Sequence, residues 1–375
     1  MKKIRVLQVN IDNNGGNGAF SLVRNLYPSL KNEFIFDYFT MDHFIKNKDY
    51  YDIVNNDGKC FSANLRKNRY TGHIKLPFIF YKILKFYNYR IVHIHSEVAY
   101  KQALYCISAK LSGVDKIIVH SHSSNIDGDK KIFKYLMHIF TKGIVNFLAT
   151  DYLSCSTKSS EWMFLKRNIK NNKVKIIDNG IIPYKYKFSL NKRERIRKEL
   201  GISNKLVIGH VGALKRVKNQ TRLLKIIKKS DEDNIILILI GDGEDKEKLI
   251  RLVDELNLSG KVKFLGARDD IDNLLQGMDV FVFPSLFEGV PLSLLEAQAT
   301  GLPILMSDAI NENIIVNNNV FQKSLDDSDK SWFDKIKKIK DGHIEEKGYY
   351  NIDSSKYNIE KTANILKKVY YDEHD

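Results

Sequence analysis

The sequence predicts an α/β protein with two domains, each built around a doubly wound parallel sheet. Short apolar runs typical of buried strands alternate with helical segments along most of the chain. The alternation pauses at a polar, basic stretch, residues 182–204, and starts again at residue 206. With 375 residues and 43% apolar content, the chain can build two hydrophobic cores. We therefore place the N-terminal domain at residues 1–183 and the C-terminal domain at residues 184–355.

Each predicted element is an apolar run or an amphipathic segment bounded by polar or turn residues. In the N-terminal half, strands are expected at residues 3–9, 34–39, 90–95, 116–122, 148–155 and 174–181, and helices at 19–30, 77–88, 98–111, 130–146 and 158–166. Residues 41–76 predict loops with short helices. In the C-terminal half, strands are expected at 206–212, 235–240, 262–265, 280–283 and 304–306, and helices at 220–229, 245–256, 271–276 and 359–371.

The stretch at residues 285–301 is the centre of the functional argument. It connects two buried apolar runs, residues 279–284 and 302–306, and predicts a loop followed by a helix. Pro291 suits the first helical turn, where its missing N–H costs nothing, and Gly301 suits the end of the helix.

Two carboxylates frame this helix start. Glu288 lies in the loop and Glu296 lies inside the helix. A helix N-terminus binds phosphate through its free N–H groups, whereas a carboxylate would repel phosphate and is suited to accept hydrogen bonds from hydroxyls. Hydroxyl-bearing groups on both sides of a diphosphate describe a nucleotide-sugar, with a ribose on one side and a hexose on the other.

The Glu-x7-Glu spacing, within Phe287-Glu288-Gly289-Val290-Pro291-Leu292 and Glu296, resembles the signature of the retaining GT-B glycosyltransferases. The resemblance implies that Glu288 contacts the donor sugar and that Glu296 holds the ribose hydroxyls. It also implies that the donor is bound around Gly289, Val290, Pro291 and Leu292.

The resemblance covers nearly the whole chain and implies the GT-B fold, in which two Rossmann-like domains face each other across a cleft. The C-terminal domain would bind the nucleotide-sugar and the N-terminal domain the acceptor. Residues 356–375 would form a C-terminal helix that crosses back to the N-terminal domain.

A glycine-rich turn follows the first predicted strand. Strand, glycine loop and helix form the layout of a Rossmann-type phosphate-binding turn. The resemblance implies that Gly15 and Gly16 approach the donor diphosphate. The alternative is an ordinary tight turn, and Gly18 stands near a position where many relatives carry an acidic residue.

A second loop, residues 212–219, follows a strand and precedes a helix. The resemblance identifies Lys218 with the lysine that neutralises the leaving diphosphate, whose growing negative charge a fixed cation stabilises. The family usually has arginine where this chain has Ala213, so Lys215 or Arg216 is expected to replace it. A solvated lysine at a helix start is the alternative for Lys218.

Two predicted strands end in His-x-His, at His93 and His95 and at His120 and His122. Residues two apart on a strand point to one face, and the carboxyl ends of parallel strands are where α/β sheets place their ligands. The resemblance implies that His122 meets the sugar and acceptor at the reaction centre, with His120 as a neighbouring candidate. A neutral imidazole can bond the sugar 6-hydroxyl without adding charge. We expect His95, with Glu97, in the cleft wall.

Two features admit a metal-dependent alternative. The four histidines could bind a metal, but no run of acidic ligands accompanies them, and a metal site would leave Glu288 and Glu296 unexplained. Asp127-Gly-Asp129 spells the DxD of the other glycosyltransferase fold, a short motif that often arises by chance. We therefore expect no metal and no cofactor.

The formal net charge of +15 belongs to the N-terminal half, where residues 1–183 hold 28 Lys or Arg against 14 Asp or Glu. Residues 58–96 contain eight basic and no acidic residues. A basic helix with aromatic residues is typical of an anionic membrane surface element, although aromatic rings packed against the sheet are the alternative. A nucleic-acid partner is not favoured, because no recognition motif accompanies the charge. The residues concerned are Lys75, Phe78, Phe80, Tyr81, Lys82, Lys85, Phe86 and Tyr87.

No apolar run approaches the ~18 residues of a membrane span. We expect a cytoplasmic protein, peripheral at the inner face of the plasma membrane. Cys60, Cys106 and Cys155 are widely spaced without a CxxC pair, which predicts reduced thiols.

The predicted function is metal-independent, retaining transfer of a hexose or N-acetylhexosamine. The donor would be a nucleotide-sugar, with UDP as the expected nucleotide, and the acceptor a saccharide or lipid-linked oligosaccharide in bacterial capsule, exopolysaccharide or other surface glycan assembly. The alternative is a catalytically weak GT-B subunit that stabilises a partner enzyme. Ala213 and Gly18 favour the alternative, whereas the presence of Glu288, Glu296 and Lys218 argues against it.

Overall fold

The computed structural model describes residues 3–13, 18–65, 69–96, 98–122, 131–340 and 348–371. The chain folds into two compact units. The first comprises Met1–Asn179 and Ile359–Asp375, and the second comprises Gly180–Asn358. The units therefore change at residues 179/180 and 358/359, against 183/184 and 355/356 in the sequence-based division.

The first unit contains, in its described part, a parallel sheet of seven strands. They are β1 (Ile4–Val9), β2 (Phe34–Thr40), β3 (Cys60–Ser62), β4 (Ile91–Ser96), β5 (Lys116–Ser121), β6 (Asp151–Ser154) and β7 (Val174–Ile176). Their order is β3-β2-β1-β4-β5-β6-β7, so the direction of strand succession reverses between β1 and β4. In open α/β sheets such a reversal is where ligands bind, outside the carboxyl ends of the strands.

Helices connect these strands. They are α1 (Gly18–Leu30), α2 (Lys48–Asn55), α3 (Arg69–Tyr87), α4 (Ala99–Ser112), α5 (Lys131–Leu148), α6 (Thr157–Met163) and α7 (Lys166–Lys170).

The second unit repeats this plan with a parallel sheet of six strands among its described residues. Its strands are β8 (Leu206–Val211), β9 (Ile235–Ile240), β10 (Val262–Gly266), β11 (Val280–Phe283), β12 (Ile304–Ser307) and β13 (Val320–Lys323). The order β10-β9-β8-β11-β12-β13 reverses between β8 and β11. The helices are α8 (Leu190–Glu199), α9 (Gln220–Lys228), α10 (Lys246–Glu255), α11 (Ile271–Leu274), α12 (Leu292–Ala299), α13 (Asp329–Lys340) and α14 (Gly348–Ser354).

The last helix, α15 (Ile359–Tyr371), belongs to the first unit. The hydroxyl of Thr362 donates to the carbonyl of Asp178 at 3.0 Å. The ring of Tyr370 lies 5.2 Å from that of Phe34 on β2, measured between ring centroids. Because of this packing, the C-terminal segment adds side chains to the N-terminal sheet.

The central strands of both sheets are buried along their whole length, namely β4 and β5 in the first unit and β9, β11 and β12 in the second. Parallel sheets covered by helices on both faces require such continuous apolar runs, which is why the sequence identified them. The buried strands form a rigid scaffold that holds the loops at their carboxyl ends.

Helix α3 differs from its prediction, because it begins at Arg69 and contains Pro77 in its interior. An interior proline costs about 3 kcal/mol in a helix. Leu76, Phe80 and Leu84 form a buried stripe that spans the proline and packs into the core, and this burial offsets the cost. The proline was therefore a poor guide to the helix start.

Several short elements were also predicted wrongly. Strand β3 lies in the region expected to be loops and pairs with β2. The helix expected at residues 158–166 is the two helices α6 and α7, and the strand expected at 174–181 is only β7. Elements this short carry too little periodicity to be recognised, and their pairing with distant strands decides their conformation.

Candidate active site

Two loops meet at the reversal point of the second sheet. One follows β8 and runs from Gly212 to Asn219, and the other follows β11 and runs from Pro284 to Pro291. The strands before them are hydrogen-bonded neighbours, although about seventy residues separate the loops in sequence. Any ligand bound outside these strand ends would contact both loops.

Hydrogen bonds hold the two loops together. The N–H of Leu286 donates to the carbonyl of Val217 at 2.8 Å. The side-chain amide of Asn219 donates to the carbonyl of Pro284 at 3.1 Å. These bonds hold Lys218, which lies between Val217 and Asn219, next to Glu288 in the other loop.

Lys218 and Glu288 form an ion pair, with Nζ 2.7 Å from Oε1. Their side chains are only 14% and 12% exposed. The ammonium group also lies 5.1 Å from the centroid of the Phe283 ring. Apart from this ion pair, Oε1 of Glu288 has no hydrogen-bond partner among the described residues. The site thus combines a largely buried cation with a carboxylate oxygen that can still accept an O–H donor.

The loop from Gly212 to Asn219, here called the lysine loop, packs on a glycine turn after β9. Gly241 has φ +133°, and a Cβ built there would lie 2.1 Å from the carbonyl oxygen of Gly212. No other residue fits so close to backbone, so glycine is required here. The N–H of Leu214 donates to the carbonyl of Asp242 at 3.0 Å, and this hydrogen bond ties the loop to the turn. This turn therefore supports the loop that carries Lys218.

Glu296 lies on α12 and is held by a tyrosine. The hydroxyl of Tyr186 donates to its Oε1 at 2.7 Å. Helix α12 begins at Leu292, so Pro291 stands at the N-cap and not in the first turn as predicted, while Gly301 ends the helix with φ +80°. Sequence reasoning missed Tyr186, because it lies in the polar, basic stretch at residues 182–204 and no pattern connects it to the helix.

In the first unit, the four histidines at the ends of β4 and β5 form one hydrogen-bonded network. His95 Nδ1 lies 2.8 Å from His122 Nε2, and His93 Nε2 lies 3.3 Å from His120 Nδ1. Tyr370 bonds His93 Nδ1 at 2.8 Å. Strand register explains the grouping, since His95 is paired with His120 across the parallel ladder.

Gln8 on β1 determines the direction of this network. Its side-chain oxygen is 2.8 Å from His95 Nε2, which must therefore carry the proton and donate. A neutral His95 then accepts at Nδ1 from His122 Nε2–H. This leaves Nδ1 of His122 as an acceptor.

Gln8 also determines which atoms donate and which accept in the bonds of Tyr370, His93 and His120. The amide nitrogen of Gln8 donates to the hydroxyl of Tyr370 at 3.2 Å, and this hydroxyl donates to His93. His93 donates in turn to His120, whose Nε2 is buried without a partner among the described residues. Four neutral imidazoles therefore satisfy the bonds within the network, and His120 Nε2 remains a buried N–H that none of the described residues accepts.

The pKa values agree with neutral rings. Burial holds the pKa values of His93, His95 and His120 well below the ordinary value, and the neighbouring histidines lower them further. Burial also lowers the pKa of His122 to about 4. One ring nitrogen from each of His93, His95 and His120 lies within 4.8 Å of the others, a spacing that could hold a metal ion. The same three rings also make the hydrogen bonds to Gln8, Tyr370 and His122 described above.

Other predicted site residues differ in position. His95, expected in the cleft wall, and His120, expected beside the reaction centre, are buried, with 1% and 0% exposure. Arg216, like Lys215, is exposed in the lysine loop. Gly289 is exposed, Val290 and Leu292 are half-buried and Pro291 is buried. Gly15, Gly16, Glu97 and the Asp127-Gly-Asp129 stretch lie outside the described residues.

The buried histidines predict a loss of stability in acid. His210, beneath Lys218, has a pKa lowered to about 4 by burial, and the nearby Lys218 charge contributes. The unfolded chain binds these protons near pH 6.5, whereas the folded chain binds them only at lower pH. The free energy of unfolding should therefore fall as pH drops from 6.5 towards 4, by up to about 1.4 kcal/mol per pH unit for each such histidine.

Urea unfolding measured across this pH range would test the prediction. His210→Asn should reduce the slope of unfolding free energy against pH by about one bound proton, because asparagine does not titrate. The variant should remain folded, since its amide can still donate to the Val282 carbonyl that His210 Nδ1 contacts at 3.0 Å. The control is His43→Asn, which makes the same substitution at an exposed position. A wild-type stability that does not vary with pH would contradict the prediction.

Comparison with known proteins identifies the family to which the chain belongs. The profile of the family described as glycosyl transferases group 1 matches residues 192–350. The UDP-Gal:alpha-D-GlcNAc-diphosphoundecaprenol alpha-1,3-galactosyltransferase of Escherichia coli is 31% identical over 303 residues, which are 78% of each chain. The chain belongs to the group 1 glycosyltransferase family. The capsular polysaccharide biosynthesis glycosyltransferase CapH of Staphylococcus aureus is 28% identical over 306 residues, 78% of this glycosyltransferase and 80% of CapH.

Solved structures confirm the fold of this glycosyltransferase. Anabaena Alr3699/HepE in complex with UDP-glucose superposes with a TM-score of 0.76 at 17% sequence identity, covering 98% of this chain and 100% of that one. The predicted fold class, two parallel-sheet Rossmann-like domains of the GT-B type, is therefore correct.

Proposed function

We propose that this glycosyltransferase retains anomeric configuration and transfers a hexose or N-acetylhexosamine from a UDP-sugar to a saccharide acceptor, with a lipid-linked oligosaccharide as the acceptor class. The observation that carries the proposal is the Lys218–Glu288 pair at the β8/β11 reversal, beside the start of α12. A cation for a diphosphate and an acceptor for sugar hydroxyls lie together where α/β sheets bind ligands. The Escherichia coli relative supports the substrate classes, since it is a galactosyltransferase that uses UDP-Gal and alpha-D-GlcNAc-diphosphoundecaprenol.

In the proposed reaction the bond between the sugar anomeric carbon and the UDP oxygen breaks, and the acceptor hydroxyl attacks from the same face. The acceptor proton passes to the departing phosphate oxygen. Lys218 stabilises the charge that develops on the diphosphate. Glu288 orients the sugar by accepting from its hydroxyls, and it does not attack the anomeric carbon.

His122 is proposed to bind the donor sugar as an acceptor. The network through His95 and Gln8 leaves its Nδ1 unprotonated, so this atom can accept from the sugar 6-hydroxyl without introducing a charge. His95 and His120 then act as positioning residues behind His122. We also propose that Glu296 binds the ribose hydroxyls and that no metal is needed, because Lys218 and the free N–H groups of α12 can meet the diphosphate.

The proposed function is tested by supplying purified protein with a panel of UDP-sugars and saccharide-diphospho-lipid acceptors in the presence of EDTA. We expect transfer of one sugar with the α-linkage of an α-configured donor retained, as read by NMR of the product. Turnover that requires Mg²⁺ or Mn²⁺ would overturn metal independence, and an inverted product would overturn retention. Binding of UDP without transfer to any acceptor would favour the alternative, a catalytically weak subunit that stabilises a partner enzyme.

Glu296→Ala should weaken the binding of free UDP, because lost ribose bonds to a carboxylate amount to roughly 1.5–3 kcal/mol. That loss corresponds to an increase in Kd of about 10- to 150-fold at 25 °C, measurable by calorimetry. Tyr186→Phe is the matched control, since it removes the tyrosine bond but leaves the carboxylate. Its Kd should change much less. An unchanged Kd in Glu296→Ala would rule out the ribose role.

A further inference from the structure

Helix α5 presents a broad apolar face to solvent. Nine of its large hydrophobic side chains are exposed, including Phe140 at 78% and Phe147 at 81%. Phe133, Leu136, Phe140, Ile144 and Phe147 recur every three or four residues and therefore share one side of the helix. The opposite side is buried through His138, Val145 and Asn146. Soluble proteins rarely leave so large a contiguous apolar surface without a partner.

Two neighbouring helices also expose large apolar side chains. Helix α4 packs against both α3 and α5. It exposes Leu111 at 70%, and α3 exposes Phe78 at 67% and Phe86 at 81%. Phe80, which the sequence also suggested for a membrane surface, is fully buried, so that part of the prediction is wrong. The centre of the surface is α5, which composition alone did not single out.

The charge of these helices identifies the chemistry of the partner. Helices α3, α4 and α5 contain nine Lys or Arg and no Asp or Glu. Lys75, Lys82 and Lys85 on α3 and Lys110 on α4 are exposed. A surface that is both apolar and basic fits an anionic lipid bilayer, where each nearby lysine contributes about 1 kcal/mol. A second copy of the chain would bring the same positive charge and be repelled.

We infer that α5, with the exposed sides of α3 and α4, is a docking surface for an anionic membrane, in which α5 lies in the plane of the interface. With 18 residues, α5 is about 27 Å long. None of the described helices combines the length and the apolarity needed to cross a bilayer. The large apolar side chains enter the headgroup region, and the lysines bind anionic headgroups. Docking rests on the first unit alone and does not depend on the proposed reaction.

Sedimentation with vesicles tests this inference. The full-length protein should sediment with vesicles of phosphatidylglycerol and phosphatidylcholine, but not with phosphatidylcholine alone, and high salt should weaken binding. Phe140→Glu/Phe147→Glu should reduce the apparent affinity by about tenfold or more, since both side chains leave the bilayer. Tyr51→Glu/Leu190→Glu is the matched control, because these residues are 53% and 60% exposed outside the surface.

A second set of variants tests the role of the lysines by reversing their charge in the same vesicle experiment. Lys75→Glu/Lys82→Glu/Lys85→Glu should reduce binding, whereas Lys198→Glu/Lys225→Glu/Lys228→Glu, at exposed positions of the second unit, should reduce it less. No nucleotide-sugar or acceptor is present, so the result is independent of catalysis. Wild-type protein that stays in the supernatant with anionic vesicles at low salt would overturn the inference. A wild-type dimer in light scattering that Phe140→Glu/Phe147→Glu converts to a monomer, without vesicle binding, would assign the surface to self-association instead.

Discussion

We expect Glu288→Gln to lower kcat/KM by roughly 10²- to 10³-fold, the range seen when one preorganised transition-state contact is removed. The amide keeps the shape of the side chain but removes the negative charge that pairs with Lys218 at 2.7 Å. It also replaces one strong acceptor of sugar hydroxyls with a weaker one. Steady-state kinetics with the donor found in the panel would measure the effect.

The exposed Glu255→Gln on α10 is the control for loss of a carboxylate and should keep wild-type kinetics. Circular dichroism should show that both variants remain folded, since Glu288 lies in a loop and not in a hydrophobic core. Wild-type rates in Glu288→Gln would remove this residue from the donor site.

Lys218→Met should reduce kcat by a similar or larger factor, at least about 10²-fold, because the departing diphosphate loses its fixed positive charge. The effect should fall mainly on kcat, since that charge develops fully only as the bond breaks. Methionine fills the space of the aliphatic stem, whose end carries the ammonium group 5.1 Å from the centroid of the Phe283 ring. Lys225→Met, an exposed lysine on α9, is the control.

The two variants are linked through the ion pair. Lys218→Met leaves the Glu288 carboxylate largely buried without its cation, which destabilises the protein. Lys218→Met/Glu288→Gln should recover stability in thermal unfolding without recovering activity. A double variant that regains most of the wild-type kcat would show that Lys218 serves only to neutralise Glu288, and the leaving-group role would fail.

The predicted elements that proved correct share one property, a local pattern in the sequence. Buried strands such as β9 are continuous apolar runs, and α15 has the bounds that its amphipathic pattern predicted. Glu288, Glu296 and Lys218 were proposed as site residues because each lies close to the end of such a strand or inside the helix that follows. Strand β3 and the position of the proline inside α3 were not predicted from the sequence, since long-range packing determines them.

The sequence by itself therefore determined the two parallel sheets, the loops that follow their strands and the chemical types of side chain in those loops. Only the tertiary structure decided which of these side chains meet. Lys218 reaches Glu288 because β8 and β11 are neighbours in the sheet, and Tyr370 joins the histidines because α15 packs on the first unit. Likewise, α5 is amphipathic by sequence, but packing decides that its apolar face points to solvent. The physical reason is that periodicity along the chain sets local conformation, whereas strand order and helix packing are set by burial between residues far apart in sequence.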